Sequence, residues 1–358
     1  MTLGVLMRVA PAFAAVLLMI SACGTDQVTG EADELTETSS TLKYTGNQSQ
    51  YAGGFKPSNA PFGGFGGSRC KATKTPVVFV PGNGDDARNF DFPPNVGGKS
   101  VYATLKAAGY RDCELFGVNW LSPEARLKPL ENYHDAVKAK IVADFVGDVL
   151  AFTGAAQVDI IGHSMGATVA LQGAELTALK SKIRRFIAIS GALRGLAVCP
   201  LVGYANPTFP VCGSQNLVDS NTYGLYPDSF WVRNPRMGAA GYRTAPNALR
   251  NTKFYTIGAG IHDGFLCEST AFTADCAETA LFSSRSNVLA QLDVGHGSTS
   301  IELDYDLTDY SIFKAGGGDI DGVGHFRAKN NTGAVQLNML TTDCKGTACC
   351  AGYSASCQ

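Results

Sequence analysis

The chain has 358 residues, 45% hydrophobic and 17% charged, with 29 Lys+Arg against 31 Asp+Glu and a formal net charge of -2. That is globular composition, long enough for one large α/β domain or two smaller ones. No basic block breaks the charge balance, so nucleic acid is excluded as an expected partner.

Arg8 precedes an apolar run, Val9 to Ile20, that is too short to span a bilayer. Small residues follow it, the pattern of a secretory signal over residues 1–22. The ending Ile20-Ser21-Ala22-Cys23 also resembles a bacterial lipobox, in which Cys23 is lipidated and becomes the new N-terminus. Gly24 behind it, in place of Asp, fits outer-membrane sorting. An ordinary signal peptide with a chance cysteine is the alternative. Residues 23–50 are polar and acidic and read as a flexible tether, so membrane contact would run only through an N-terminal lipid anchor. Residues 51–68, YAGGFKPSNAPFGGFGGS, read as more linker or as an irregular arm that lays its aromatics on the domain.

From Cys70 onward strand and helix signals alternate. PVVFV predicts a buried strand, KSVYATLKAAG a helix with a glycine stop, and CELFGVNW a second strand. Residues 131–153 predict a long amphipathic helix. QVDIIG predicts a strand and MGATVALQGAELTALK the helix after it. IRRFIAISG, TKFYTIGAG and NVLAQLDVG are further strands, and residues 332–342 a closing helix. Continuous apolar strands between helices imply a parallel sheet covered on both faces, with ligands at the C-terminal strand ends. One stretch, about 192–252, breaks the rhythm. With its aromatics and two cysteines it reads as an ordered cap. The expected division is therefore a single domain over 51–358 that carries this cap.

Eleven cysteines are present, ten of them beyond Cys23, an even number in an exported chain. Cys70 and Cys113 each precede a strand and can bridge if those strands are parallel neighbours. Cys199 with Cys212, and Cys267 with Cys276, would close short loops; Cys344, Cys349, Cys350 and Cys357 would staple the tail. The tail lacks the C-x-x-C spacing of a zinc site. The aspartates in DYDLTDY and GGGDIDG fit no calcium-loop template, so neither metal nor cofactor is expected.

The chemistry centres on Gly162-His163-Ser164-Met165-Gly166, which follows a strand and opens a helix. This is the pattern of a nucleophile elbow, a tight strained turn that leaves no room for side chains beside the serine. A serine hydroxyl needs a base, and in this architecture the order is Ser, acid, His. Of five histidines, His134 lies before the elbow, His163 occupies its variable position pointing away from the hydroxyl, and His262 adjoins an acid candidate. His325, on a Gly-rich loop just before the last helix, is favoured over His296 as the base. Asp263, on the loop after a strand, is the expected acid; Asp293 is the runner-up, ahead of Asp228 in the cap. The oxyanion hole needs two main-chain N–H groups, assigned to Met165 and to Asn83 in VFVPGNGDD.

The segments QYAGGF, ATKTPVVFVPGNGD, QVDIIGHSMG, GYANPTFPVCGSQN, GGGDIDGVGHFRAKNNTGAV and TDCKG together resemble the extracellular bacterial poly(3-hydroxybutyrate) depolymerases that attack native, amorphous polymer. The resemblance runs from about Gln50 to about Cys349. It implies an α/β-hydrolase fold, a lipase-like relationship, and Ser164, Asp263 and His325 as the triad, with Asn83 and Met165 at the oxyanion. The chain departs from that pattern in two places. Pro81-Gly82-Asn83 stands where His-Gly-Asn is usual, and the run after Cys199 carries fewer tyrosines. The thinner aromatic surface bears on polymer preference more than on ester hydrolysis.

The sequence thus predicts a secreted or lipid-anchored serine ester hydrolase acting on a polyester or lipid substrate. The alternatives are a triacylglycerol lipase or short-chain esterase and, from another class, a non-catalytic surface lipoprotein that binds a hydrophobic partner.

Overall fold

The structure is a computed structural model that describes residues 50–91, 100–195, 208, 210–212, 245–260, 263, 266, 279–282, 286–295, 324–353 and 357–358. The predicted signal, tether and Cys23, most of the cap, Asp228, His262, His296 and the Cys267/Cys276 loop lie outside the described residues.

The core strands form on short, mostly apolar runs. β3 (Val77–Val80), β4 (Leu115–Val118) and β5 (Val158–His163) are buried along their whole length. β6 (Ile183–Ile189), β7 (Lys253–Gly258) and β8 (Val288–Asp293) complete the parallel run. Strands that must be covered on both faces read this way. Two strands were not predicted. β1 (Gln50–Tyr51) and β2 (Gly64–Gly66) lie in the glycine-rich arm and in the last residue of the stretch read as tether. β2 pairs antiparallel with β4, and β1 lies parallel to β2. Among the described residues the sheet order is β1-β2-β4-β3-β5-β6-β7-β8, with the crossover at β3/β4 that defines the α/β-hydrolase fold.

Successive strand residues point to opposite faces, so one sheet serves two cores. Val78, Val80, Phe116 and Ile160 pack against α3 (Ala136–Thr153) and α4 (Met165–Leu176). Val77, Phe79, Leu115 and Ile161 pack against α1 (Val101–Ala107) and α6 (Gly333–Thr341). The arm is therefore not linker. Phe55 is buried against Phe116, Phe145 and Phe152, with ring centroids 5.1–5.5 Å away.

α3 starts five residues later than predicted. Asp135 caps it by accepting the Lys138 N–H, and the preceding Pro129–Glu131 forms a 3-10 turn instead. At its other end Gly154 takes a left-handed φ of 70°, a glycine stop. The Cys70–Cys113 bond forms as expected, because β3 and β4 are parallel neighbours in which Val77 pairs with Leu115. Cys344–Cys349 and Cys350–Cys357 staple the tail. Cys212 is disulfide-bonded as well, while its expected partner Cys199 lies outside the described residues. Of the described residues, no helix is long and apolar enough to cross a membrane, and no cluster of three His, Cys, Asp or Glu could hold a metal ion.

Candidate active site

The elbow is built by β5 running into α4. Ser164 sits between them at φ 51° and ψ -134°, a conformation that costs a non-glycine residue about 1–3 kcal/mol. It is held there from both sides: its N–H donates to the Ile189 carbonyl (2.8 Å), and its carbonyl accepts the Ala167 N–H (3.1 Å). The flanking glycines follow from space. A Cβ on Gly162 would lie 2.7 Å from Ala167 Cα, and one on Gly166 would lie 2.0 Å from the Pro81 carbonyl oxygen. Met165 opens the helix, and N–H groups in a first turn have no intrahelical partner and favour negative charge.

The loop after β3 lies against the elbow, since a Cβ on Gly82 would meet Ser164 Cβ at 2.9 Å. Pro81 brings no N–H, but its carbonyl accepts from Trp120 Nε1 (2.8 Å), which supports the loop where a histidine is usual. The Asn83 side chain is bound into the scaffold: its amide donates to the Pro129 carbonyl (2.8 Å), and its oxygen accepts from Asn132 (2.7 Å). Its main-chain N–H is the candidate oxyanion donor. Beside it, Asp86 accepts from Arg88, Arg126 and Asn119. Burial pushes the Asp86 carboxyl up, but the Arg88 hydrogen bonds and the Arg126 and Arg88 charges outweigh it and hold the group at about 2.

Asp263 and His325, 62 positions apart in sequence, meet in the structure. His325 Nδ1 lies 2.8 and 3.0 Å from the two Asp263 carboxylate oxygens, and both residues are buried. Asp263 also accepts the Leu266 N–H at 3.0 Å. An ionised carboxylate can only accept, so Nδ1 carries the proton. In the neutral ring Nε2 is then the lone-pair nitrogen, the atom a general base needs. The runner-up, Asp293, accepts the Gly295 N–H at 2.8 Å instead.

The sequence reading missed the part played by His163. Its ring lies beside that of His325, tilted by 55° with centroids 4.7 Å apart, and its Nε2–H donates to the His325 main-chain carbonyl at 3.0 Å. The variable elbow position thus holds the main chain of the candidate base. Burial, with the neighbouring His325 and Lys329 charges, drives His163 well below its ordinary 6.5, so the ring is neutral and Nδ1 carries no proton. His134, set aside as lying before the elbow, is buried and donates from Nε2 to the Thr168 hydroxyl (2.6 Å), which in turn donates to the Met165 carbonyl (2.9 Å). A polar residue in the helix start, Thr168, was the signal that could have drawn attention to it.

Residues 74–225 match the family model described as Lipase (class 2), a span that holds the loop after β3 and the elbow. No curated protein matches. Among solved structures, Aspergillus fumigatus lipase B is 16% identical, with a TM-score of 0.46; the match covers 79% of this chain and 56% of that one. Bacillus licheniformis lipase BlEst2 in its mature form is 16% identical over 60% of this chain and 82% of its own, with a TM-score of 0.39. Naproxen esterase from Bacillus subtilis is 13% identical over 61% of this chain and 81% of its own, at 0.29. The chain thus spans little more than half the length of the Aspergillus enzyme. The sheet order and the strand–elbow–helix turn define an α/β-hydrolase fold, and over residues 74–225 the chain is similar to the class 2 lipases, a family whose chemistry is carboxylic-ester hydrolysis.

Proposed function

We propose that the protein is an exported serine carboxylic-ester hydrolase in which Ser164 is the nucleophile, His325 the base and Asp263 the acid. The observation that supports this most is the His325 Nδ1–Asp263 pair, which fixes the imidazole tautomer, in a segment that the elbow residue His163 holds by its main-chain carbonyl. His325 takes the Ser164 proton as the serine attacks an ester carbonyl. The tetrahedral oxyanion is held by the Asn83 and Met165 main-chain N–H groups, each worth about 2.7–4 kcal/mol of transition-state stabilisation. The protonated ring then returns its proton to the leaving alcohol, and water releases the acyl group by the same steps in reverse.

Two substrates are favoured by separate observations. The motifs that resemble poly(3-hydroxybutyrate) depolymerases run over most of the domain and favour amorphous polyester. The class 2 lipase match over 74–225 favours a lipid ester. Three disulfides among the described residues fit an oxidising, extracytoplasmic compartment, with Cys23 as the proposed lipid anchor. Purified protein given amorphous poly(3-hydroxybutyrate) granules and, separately, tributyrin emulsion decides between the substrates. Granule clearing supports the polyester reading, and turnover of tributyrin alone supports the lipase. Loss of neither activity in Ser164→Ala would remove the elbow serine from the mechanism. A wild-type protein inert on both, and on soluble short-chain esters, would return the non-catalytic binding lipoprotein.

A further inference from the structure

A buried charge pair behind the site is not used by the mechanism above. Lys329, in α5 (Arg327–Asn330), is fully buried, and its ammonium donates to Asp85 at 2.7 Å across 244 positions of sequence. Asp85 lies in the loop that carries Asn83, and its N–H closes that loop by donating to the Gly82 carbonyl at 3.3 Å. The other Asp85 oxygen accepts the Asp86 N–H (2.8 Å) and the Asn89 amide. Three donors from three different residues thus converge on this one carboxylate. Lys329 lies four residues after His325, in a turn closed by the Ala328 N–H on the Gly324 carbonyl (2.8 Å). Its ammonium also lies over the Phe90 ring, 4.9 Å from the centroid. The His163 ring fills the corner between the two segments, with Nδ1 4.0 Å from Asp85 and Nε2 bonded to the His325 carbonyl.

Buried ion pairs rarely add net stability over apolar packing, so a pair in this position calls for another reason. The two segments it joins carry the oxyanion donor and the base, and neither is part of the sheet. The loop is anchored on one side by Asn83 through Pro129 and Asn132, and on the other by Asp85 through Lys329. We infer that Lys329 is a positioning residue: its bond to Asp85 locks the oxyanion loop to the His325 segment and sets the distance between them. The inference rests on the hydrolase reading, because a fixed distance between base and oxyanion donor matters only if both act on one substrate. A displacement of about 1 Å in such an arrangement costs roughly a hundredfold in rate.

The test uses Lys329→Met, Asp85→Asn and the double variant in the full chain. Esterase kinetics are measured on a soluble p-nitrophenyl ester, with active sites counted by a fluorophosphonate so that misfolded protein is discounted. Each single variant is expected to lose about a hundredfold in kcat per active site, with KM little changed. The double variant, which leaves no buried charge unpaired, is expected to recover Tm but not kcat. That split is what a scaffold role would not produce. Folded variants with wild-type kcat, recovery of kcat together with Tm in the double variant, or a double variant that does not regain folding would each overturn the clamp. An inactive wild-type protein would overturn the hydrolase reading along with it, whereas an active wild type beside unaffected variants overturns the clamp alone.

Discussion

The two ends of the sheet both bury charge, and they do so differently. At the N-terminal strand ends, Asp159 of β5 is buried against Arg184, and Glu114 before β4 accepts the N–H groups of Thr73, Lys74 and Arg111. These carboxylates tie neighbouring chain segments together beside the Cys70–Cys113 bond. At the C-terminal ends the backbone is strained instead. Of the described residues, the two non-glycine positions with positive φ are Ser164 (51°) and Ser190 (43°), which follow β5 and β6. His163 Nδ1 is buried there without a hydrogen-bond partner. Strain and unmet polar capacity collect where a structure is over-determined by its surroundings and used for chemistry. One end holds the sheet together, and the other spends part of that stability on geometry.

The largest test of this division is Asp263→Asn. With the fold kept but the imidazole tautomer no longer fixed, kcat should fall on the order of 10⁴-fold. A loss of only a few-fold, measured per titrated active site, would take Asp263 out of the acid role. Arg184→Met at the opposite end should do the reverse. It leaves the buried Asp159 carboxylate with only the Arg185 N–H and charge beside it and should cost about 3 kcal/mol in urea unfolding, with kcat per active site unchanged. A rate defect there would mean that the two ends are coupled.

Acid should loosen the C-terminal end by two routes. Above about pH 6.5 His163 is neutral folded and unfolded; below it only the unfolded chain takes up a proton, so stability falls as pH drops. Asp86, held at about 2 against an ordinary 3.8, adds stability above about pH 4 that is lost as pH falls towards 2, of about 2 kcal/mol. Thermal melts across this range should show both steps. Replacing His163 by Phe should flatten the upper one, and persistence of that step would reassign it to another group. The smallest effect on stability is expected from Ser164→Gly, which relieves the positive φ and should raise stability by about 1 kcal/mol while abolishing turnover. An unchanged or lowered Tm would argue against stored strain at the elbow.

What could be read from the sequence follows the same division. The central strands were legible because VVFV, VDIIGH and FYTIG are mostly apolar runs, and the elbow because Gly162 and Gly166 bracket Ser164 between a strand and a helix. The meeting of Asp263 with His325 followed from their order after the serine and from their places on loops at strand ends. β1 and β2 were not legible. They are two and three residues long and stabilised by pairing rather than by any local pattern: β2, Gly-Phe-Gly, pairs with β4 about fifty positions away, and β1 pairs with β2. His163 and Lys329 escaped for a related reason. Each bonds to a partner more than a hundred residues distant, one of them a main-chain carbonyl, and no spacing rule signals such a contact.

The central claim is that Ser164 is a nucleophile activated by His325. The direct measurement is the site and rate of fluorophosphonate labelling, read by peptide mass spectrometry on wild-type protein and on His325→Ala. The account predicts one adduct, on Ser164, whose rate of formation collapses in the variant. Labelling that is absent, falls on another residue, or proceeds at the same rate without the His325 ring would contradict it.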